Sequence, residues 1–130
     1  MFTSLQNPLS LAGRALLALL FVPAGFGKIA GFASAAGYAA AKGVPFSEIA
    51  IAIAIAVELG LGLLLLVGYQ TRWAALAIAF FTVVITFIFH PLSDPAQAQA
   101  FFKNIAVVGG LLTVAAWGAG AWSVDAKRGR

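Results

Sequence analysis

Apolar residues run through this chain in four long blocks, at about 9–27, 49–67, 73–89 and 101–122, and polar residues either separate the blocks or fall singly inside them. Each block approaches the length a helix needs to cross a bilayer core, about 20 residues. The pattern therefore predicts four membrane-spanning helices. Within the second block the run IAIAIA has the period-2 look of a strand, yet both alternating types are apolar, so the alternation defines no wet face. Helical spacing defines a clearer one. Ala50, Ala54, Glu58 and Gly62 fall on one stripe, with Ala52, Ala56 and Gly60 beside it, which predicts a small-residue face where a neighbouring helix approaches closely. In the first block Arg14, Ala18, Phe21, Gly25 and Lys28 share another stripe, placing Arg14 and Lys28 at opposite ends of one helical face. Pro23, with Gly25 and Gly27, is a candidate kink between them.

The connections predict their own elements. Between the first two blocks, KIAGFASAAGYAAAKGVPFSE is Ala-rich and weakly amphipathic, and Gly43 followed by Pro45 marks a helix stop; a short interfacial helix is expected there. Ser47 is read as the cap of the second span, with Glu48 in its first turn. The bend GYQT is short, so the second and third spans form an antiparallel hairpin. Pro91 disfavours a helical His90 and ends the third span. Asp94 at the cap and Pro95 at the first helical position start the fourth helix before its apolar part. Residues 123–130 read as a basic tail.

Composition narrows the class. Of 130 residues 62% are hydrophobic and only 9% charged, and the mean hydropathy is +1.01, far above an ordinary soluble domain. The expected fold is all-α, an integral membrane four-helix bundle in one domain, with the lipid bilayer as its first partner. There is no Cys, one His, and one Met at the start, which excludes a disulfide framework, a thiol redox centre and iron–sulfur ligation. The chain also lacks paired axial His ligands for a haem and the several ligands a zinc site draws on, so no metal site and no cofactor held by the usual Cys or His ligands is expected. The formal charge of +4 does not point to nucleic acid, because the basic residues are scattered outside the tail. They read better as topology signals. Arg14, Arg72, Lys127, Arg128 and Arg130 fall on the side of the termini, against Lys28, Lys42 and Lys103 opposite, so both termini are expected in the cytoplasm. Trp73, Trp117 and Trp122 suit an interfacial belt. A competing reading takes Arg14, a short apolar stretch and the triplet Ala33, Ser34, Ala35 as a secretory signal with its cleavage site.

Glu58 stands near the middle of its block, where an unpaired charge is costly and must be protonated, paired or wetted. Arg14 and Lys28 can reach inward towards it from the two ends of their face. Thr82, Thr86 and His90 form a polar stripe on the third span, and Lys103 with Asn104 lies near the level of His90 on the fourth. These residues predict a narrow polar interior containing Glu58, with Lys28, His90, Lys103 and Asn104 towards its outer mouth. Plainer roles stand beside this one: Glu58 and Arg14 as a structural ion pair, His90 as an interfacial helix end, and Thr82 and Thr86 bonded to their own helix backbone.

An Arg in the first span, GFGK, the stretch ELGLGLLLLVGYQTR, a His ending the third span, FFKN and the closing GAGAWSVD together resemble the DoxX family of small four-helix membrane proteins. The resemblance covers nearly the whole chain. It implies a bacterial inner-membrane protein, and it singles out Arg14, Lys28, Glu58, Thr71, Arg72, His90 and Asp125. The family takes its name from a relative associated with a thiosulfate:quinone oxidoreductase, and other relatives are linked to membrane-bound oxidoreductase assemblies. The resulting expectation is a quinone-associated or accessory membrane subunit of an oxidoreductase system, with quinone as the cofactor, a redox protein as partner, and a homo-oligomer as a further association. A proton acceptor and hydrogen-bond donors inside an apolar bundle would suit quinone chemistry. A small-solute or ion permease, or a structural assembly factor, would use the same residues differently.

Overall fold

The computed structural model describes residues 2–128, with side chains from residue 4. Helix α1 (Phe2–Ala30) is followed by the short α2 (Phe32–Ala41). The second span comprises α3 (Ser47–Ile55), a π-helical turn (Ala56–Leu61) and α4 (Gly62–Val67). The third span is α5 (Thr71–Phe89); a 3-10 turn (Pro95–Gln97) leads into the fourth, α6 (Ala98–Trp117), and α7 (Val124–Lys127) closes the described chain. Four helical stretches, Ser4–Ala30, Ser47–Val67, Thr71–Phe89 and Pro95–Trp117, are long and apolar enough to cross a membrane. The protein is an all-α integral membrane four-helix bundle, and no strand occurs among the described residues.

The first span packs chiefly on the second and the third on the fourth, with the second and third joining the two pairs. At the centre Phe21, Leu65, Ile78 and Leu111 are almost wholly buried, while Leu16, Phe26, Phe80 and Trp117 are exposed on the outer faces, as a lipid-facing surface requires. The first two spans approach closely because two glycines allow it. A Cβ on Gly25 would lie 2.8 Å from the Leu59 Cβ, and one on Gly62 would lie 3.0 Å from the Val22 Cγ2. In the first span the stripe Arg14, Ala18, Phe21 is the buried one, and the helix continues through Pro23 without a break.

Several local expectations need correction. Ala54, Glu58 and Gly62 are buried, but Ala52, Ala56 and Gly60 are exposed, so the packed stripe of the second span is narrower than the sequence spacing implied. Ser47 is not the cap: Phe46, at φ 50°, precedes the helix, and no side chain bonds its first turn. The fourth span stops at Trp117, where Gly118 takes φ 81°, and does not reach Trp122. Residues 123–127, at the start of the segment read as a basic tail, are held to the protein, with Ser123 and Asp125 buried. Other local readings hold. Gly43 (φ 86°) follows α2, His90 caps the third span, and the Asp94 side chain accepts from the Ala96 N–H at 3.0 Å ahead of the fourth.

Candidate functional site

The polar residues inside the bundle divide into two separate sites. The first lies in the half away from the termini. Lys28, at the end of α1, reaches across to the π-helical turn, and its Nζ stands 2.7 Å from the Glu58 Oε1. Glu58 is only 4% exposed, so the carboxylate is taken out of lipid contact by a paired cation, as a mid-bilayer acid requires. The Lys28 ammonium group is the more accessible partner, with 29% of its side chain exposed. A π turn carries an extra residue against the neighbouring helix and recurs at functional sites; here it holds Glu58 inward opposite the first span.

This ion pair borders a cavity of about 490 Å³. Its walls are apolar, with Ala54, Phe81, Val84, Ile85 and Phe89 among them, and His90 and Tyr38 join the lining with Lys28 and Glu58. His90 Nδ1 is 2.6 Å from the Gln97 Oε1, which ties the end of the third span to the start of the fourth. Tyr38 stacks on Phe89, their ring centroids 5.5 Å apart. The cavity is thus an apolar pocket between α2 and the second and third spans, open to the outside at Ile53 and Val84, with an ion pair and an imidazole in its lining.

The second site lies at the end of the bundle that carries the termini. Arg14 is 1% exposed. It donates through Nη1 to the carbonyls of Leu65 (3.0 Å) and Leu66 (2.8 Å), and through Nη2 to that of Trp122 (2.6 Å). Asp125 lies within electrostatic reach of it. The Asp125 carboxylate accepts from the Gln70 N–H at 2.8 Å, the Thr71 N–H at 2.9 Å and the Thr71 hydroxyl at 2.7 Å, acting as a remote cap for the third span. The Asp125 N–H in turn donates to the Gly68 carbonyl at 2.8 Å. Gly68 is required at this point, since its φ is 77° and a Cβ there would sit 2.4 Å from the Ser123 Cβ. Ser10 donates to the Ala119 carbonyl at 3.0 Å, so the first span, the hairpin bend and the closing segment are clasped together.

Between the two sites lies the apolar layer of Phe21, Leu65, Ile78 and Leu111. Arg14 therefore does not pair with Glu58, because it is drawn to carbonyls and a carboxylate at the other end of its helix. Thr82 and Thr86 each donate to the carbonyl four residues earlier, Ile78 at 2.7 Å and Thr82, which leaves them as helix-satisfied groups. Asn104 donates to the Thr86 hydroxyl at 3.1 Å and joins the third and fourth spans. Lys103 is exposed and lines no part of the cavity, in place of the expected position at its mouth. Sequence reasoning missed Ser10, Gln70 and Gln97, and gave Ser123 no structural role although it stands in the closing motif GAGAWSVD. A signal existed for Ser123: serine before a short helix suggests a cap, and its hydroxyl accepts from the Ala126 N–H at 3.2 Å.

A compact membrane bundle with one mid-span acid paired across two helices, and a clasp written in GYQT and SVD, defines a small integral membrane protein of the four-span type. The chain matches the DoxX family over residues 9–91, a stretch that holds Arg14, Lys28, Glu58, Thr71, Arg72 and His90, and it belongs to that family. It is also 40% identical over 116 residues to the inner membrane protein YqjF of Escherichia coli (strain K12), the match covering 88% of each chain. No solved structure matches it.

Proposed function

We propose that this protein is a quinone-associated accessory subunit of an oxidoreductase system in the bacterial inner membrane, with the Lys28–Glu58–His90 cavity as its quinone site. The observation that carries the proposal is the pairing of an apolar, outward-opening pocket of about 490 Å³ with an ion pair and an imidazole in its wall. That volume is in the range of small-molecule sites, about 300–1,000 Å³. The residues fit the group: a quinone head offers carbonyl acceptors to a Lys28 donor, and its isoprenoid tail suits walls such as Val84, Ile85 and Phe89. When bound, a quinone supplies two-electron redox chemistry coupled to protons. Lys28 would donate a hydrogen bond to it, Glu58 would hold Lys28 in place, and His90 would add a ring nitrogen to the same lining as a hydrogen-bonding group. Electrons would come from a partner, since the chain has no Cys and one His with which to hold a redox centre. The inner-membrane setting rests on the likeness to YqjF, and cytoplasmic termini rest on the excess of Arg and Lys at that end.

A permease reading is weaker in a single chain, because the buried layer of Phe21, Leu65, Ile78 and Leu111 interrupts any polar path from Glu58 to Arg14. The redox proposal is tested by extracting lipophilic molecules from protein purified gently from its own membrane and quantifying quinone against protein. Val84 is 40% exposed and lines the cavity, so Val84→Trp obstructs it from the lipid side with little disturbance of the core. Stoichiometric quinone in the wild type that falls away in Val84→Trp is the expected result; no quinone in either refutes the assignment.

A further inference from the structure

At the end of the bundle carrying the termini, Arg72 takes no part in the clasp and, among the described residues, forms no ion pair. Its guanidinium lies over Gly118, where a Cβ would come within 3.2 Å of Nε and 3.4 Å of Nη2. The glycine that ends the fourth span thus leaves the space that Arg72 fills. The side chain borders a cavity of about 510 Å³ that Trp73 and Trp117 also line. Both indoles are open to the surroundings, at 73% and 81% exposure, as expected of rings at headgroup depth. The acid in the same lining, Asp125, accepts from the Gln70 and Thr71 N–H groups.

A second feature meets this cavity. A groove of about 610 Å³ runs between the first and fourth spans past Gly13, Leu16, Leu20 and Gly110, and it shares Trp117 and Gly118 with the Arg72 cavity. A Cβ on Gly13 would meet nothing within 4 Å, so the groove is open along that helix.

We propose that these two features together hold one anionic phospholipid, its phosphate on Arg72 between Trp73 and Trp117 and an acyl chain along the groove. The planar guanidinium matches a phosphate bidentately, and basic pockets between spans suit acidic headgroups. Continuity with an apolar groove selects a lipid over a free phosphate, which would leave the groove unfilled.

The test is native mass spectrometry of the full chain in nanodiscs of phosphatidylglycerol and phosphatidylcholine in equal amounts. Wild type is expected to retain phosphatidylglycerol preferentially. Arg72→Gln should lower that retention about fivefold, the factor that one interfacial cation contributes. Lys127→Gln, a cation outside the cavity lining, should leave it unchanged. Gly13→Leu, which fills the groove and leaves Arg72 in place, should also lower it; this variant carries the test if Arg72→Gln does not fold. Equal retention by wild type and Arg72→Gln, equal loss in Arg72→Gln and Lys127→Gln, unchanged retention in Gly13→Leu, or displacement of the lipid by glycerol phosphate would each overturn the proposal.

Discussion

Asp125→Ala removes the acceptor on which the clasp depends. Its carboxylate takes the Gln70 N–H, the Thr71 N–H and the Thr71 hydroxyl, and it is 9% exposed. Hydrogen bonds to a charged group contribute about 1.5–3 kcal/mol each, but the contributions are not additive, and water can reach part of the vacated space. A helix cap alone accounts for about 1 kcal/mol. Removing one partner of a buried charged group costs about 3–5 kcal/mol, which bounds the effect from above because Arg14 keeps its three carbonyl bonds. A loss of about 2–4 kcal/mol is expected. Asp94→Ala is the internal comparison: it also removes a capping aspartate, but an exposed one with a single bond at 3.0 Å, so it should cost about 0.5–1 kcal/mol. The chain has no Cys for thiol-reactive dyes, so the assay is the monodisperse fraction on size exclusion after heating in detergent. An Asp125→Ala midpoint equal to that of the wild type, or to that of Asp94→Ala, would refute the clasp.

Other substitutions probe separate joints. Gly68→Ala forces a Cβ against Ser123 at φ 77°, and the backbone strain alone should cost about 1–3 kcal/mol in the same heating assay. Gly25→Ala drives a methyl into the Leu59 backbone at 2.9 Å and should destabilise by about 1–3 kcal/mol, whereas Gly27→Ala, with nothing within 4 Å, should not. Lys103→Gln changes an exposed side chain and should leave both heat stability and quinone retention unaltered. Wild-type protein in liposomes should pass no small ions under a potential, as the apolar layer at Leu65 and Leu111 requires; a steady conductance would revive the channel reading.

The fold was legible because membrane helices announce themselves: length, apolarity, Pro91 and Gly43 mark spans and stops directly in the sequence. The partner of Glu58 was half legible. Helical spacing put both Arg14 and Lys28 on the face towards the second span, but spacing cannot say which cation travels to the acid. The decision rests on the closing segment: the Trp122 carbonyl and Asp125 hold Arg14 at the far end, and contacts more than a hundred residues apart in the chain leave no periodic trace. Lys103 was misplaced for a related reason, since a wheel gives its direction only after the position of the neighbouring helix is known. The π turn at Ala56–Leu61 also went unread, because it alters helix phase without a distinctive residue pattern.

The most direct test of the quinone assignment is native mass spectrometry of protein released gently from its own membrane, with the wild type beside Glu58→Gln and Asp125→Asn. The account predicts a quinone-mass adduct on the wild type and on Asp125→Asn, lost in Glu58→Gln, because the Lys28–Glu58 pair borders the cavity while Asp125 belongs to the distant clasp and not to its lining. A bare chain in all three, or an adduct indifferent to Glu58, would contradict it.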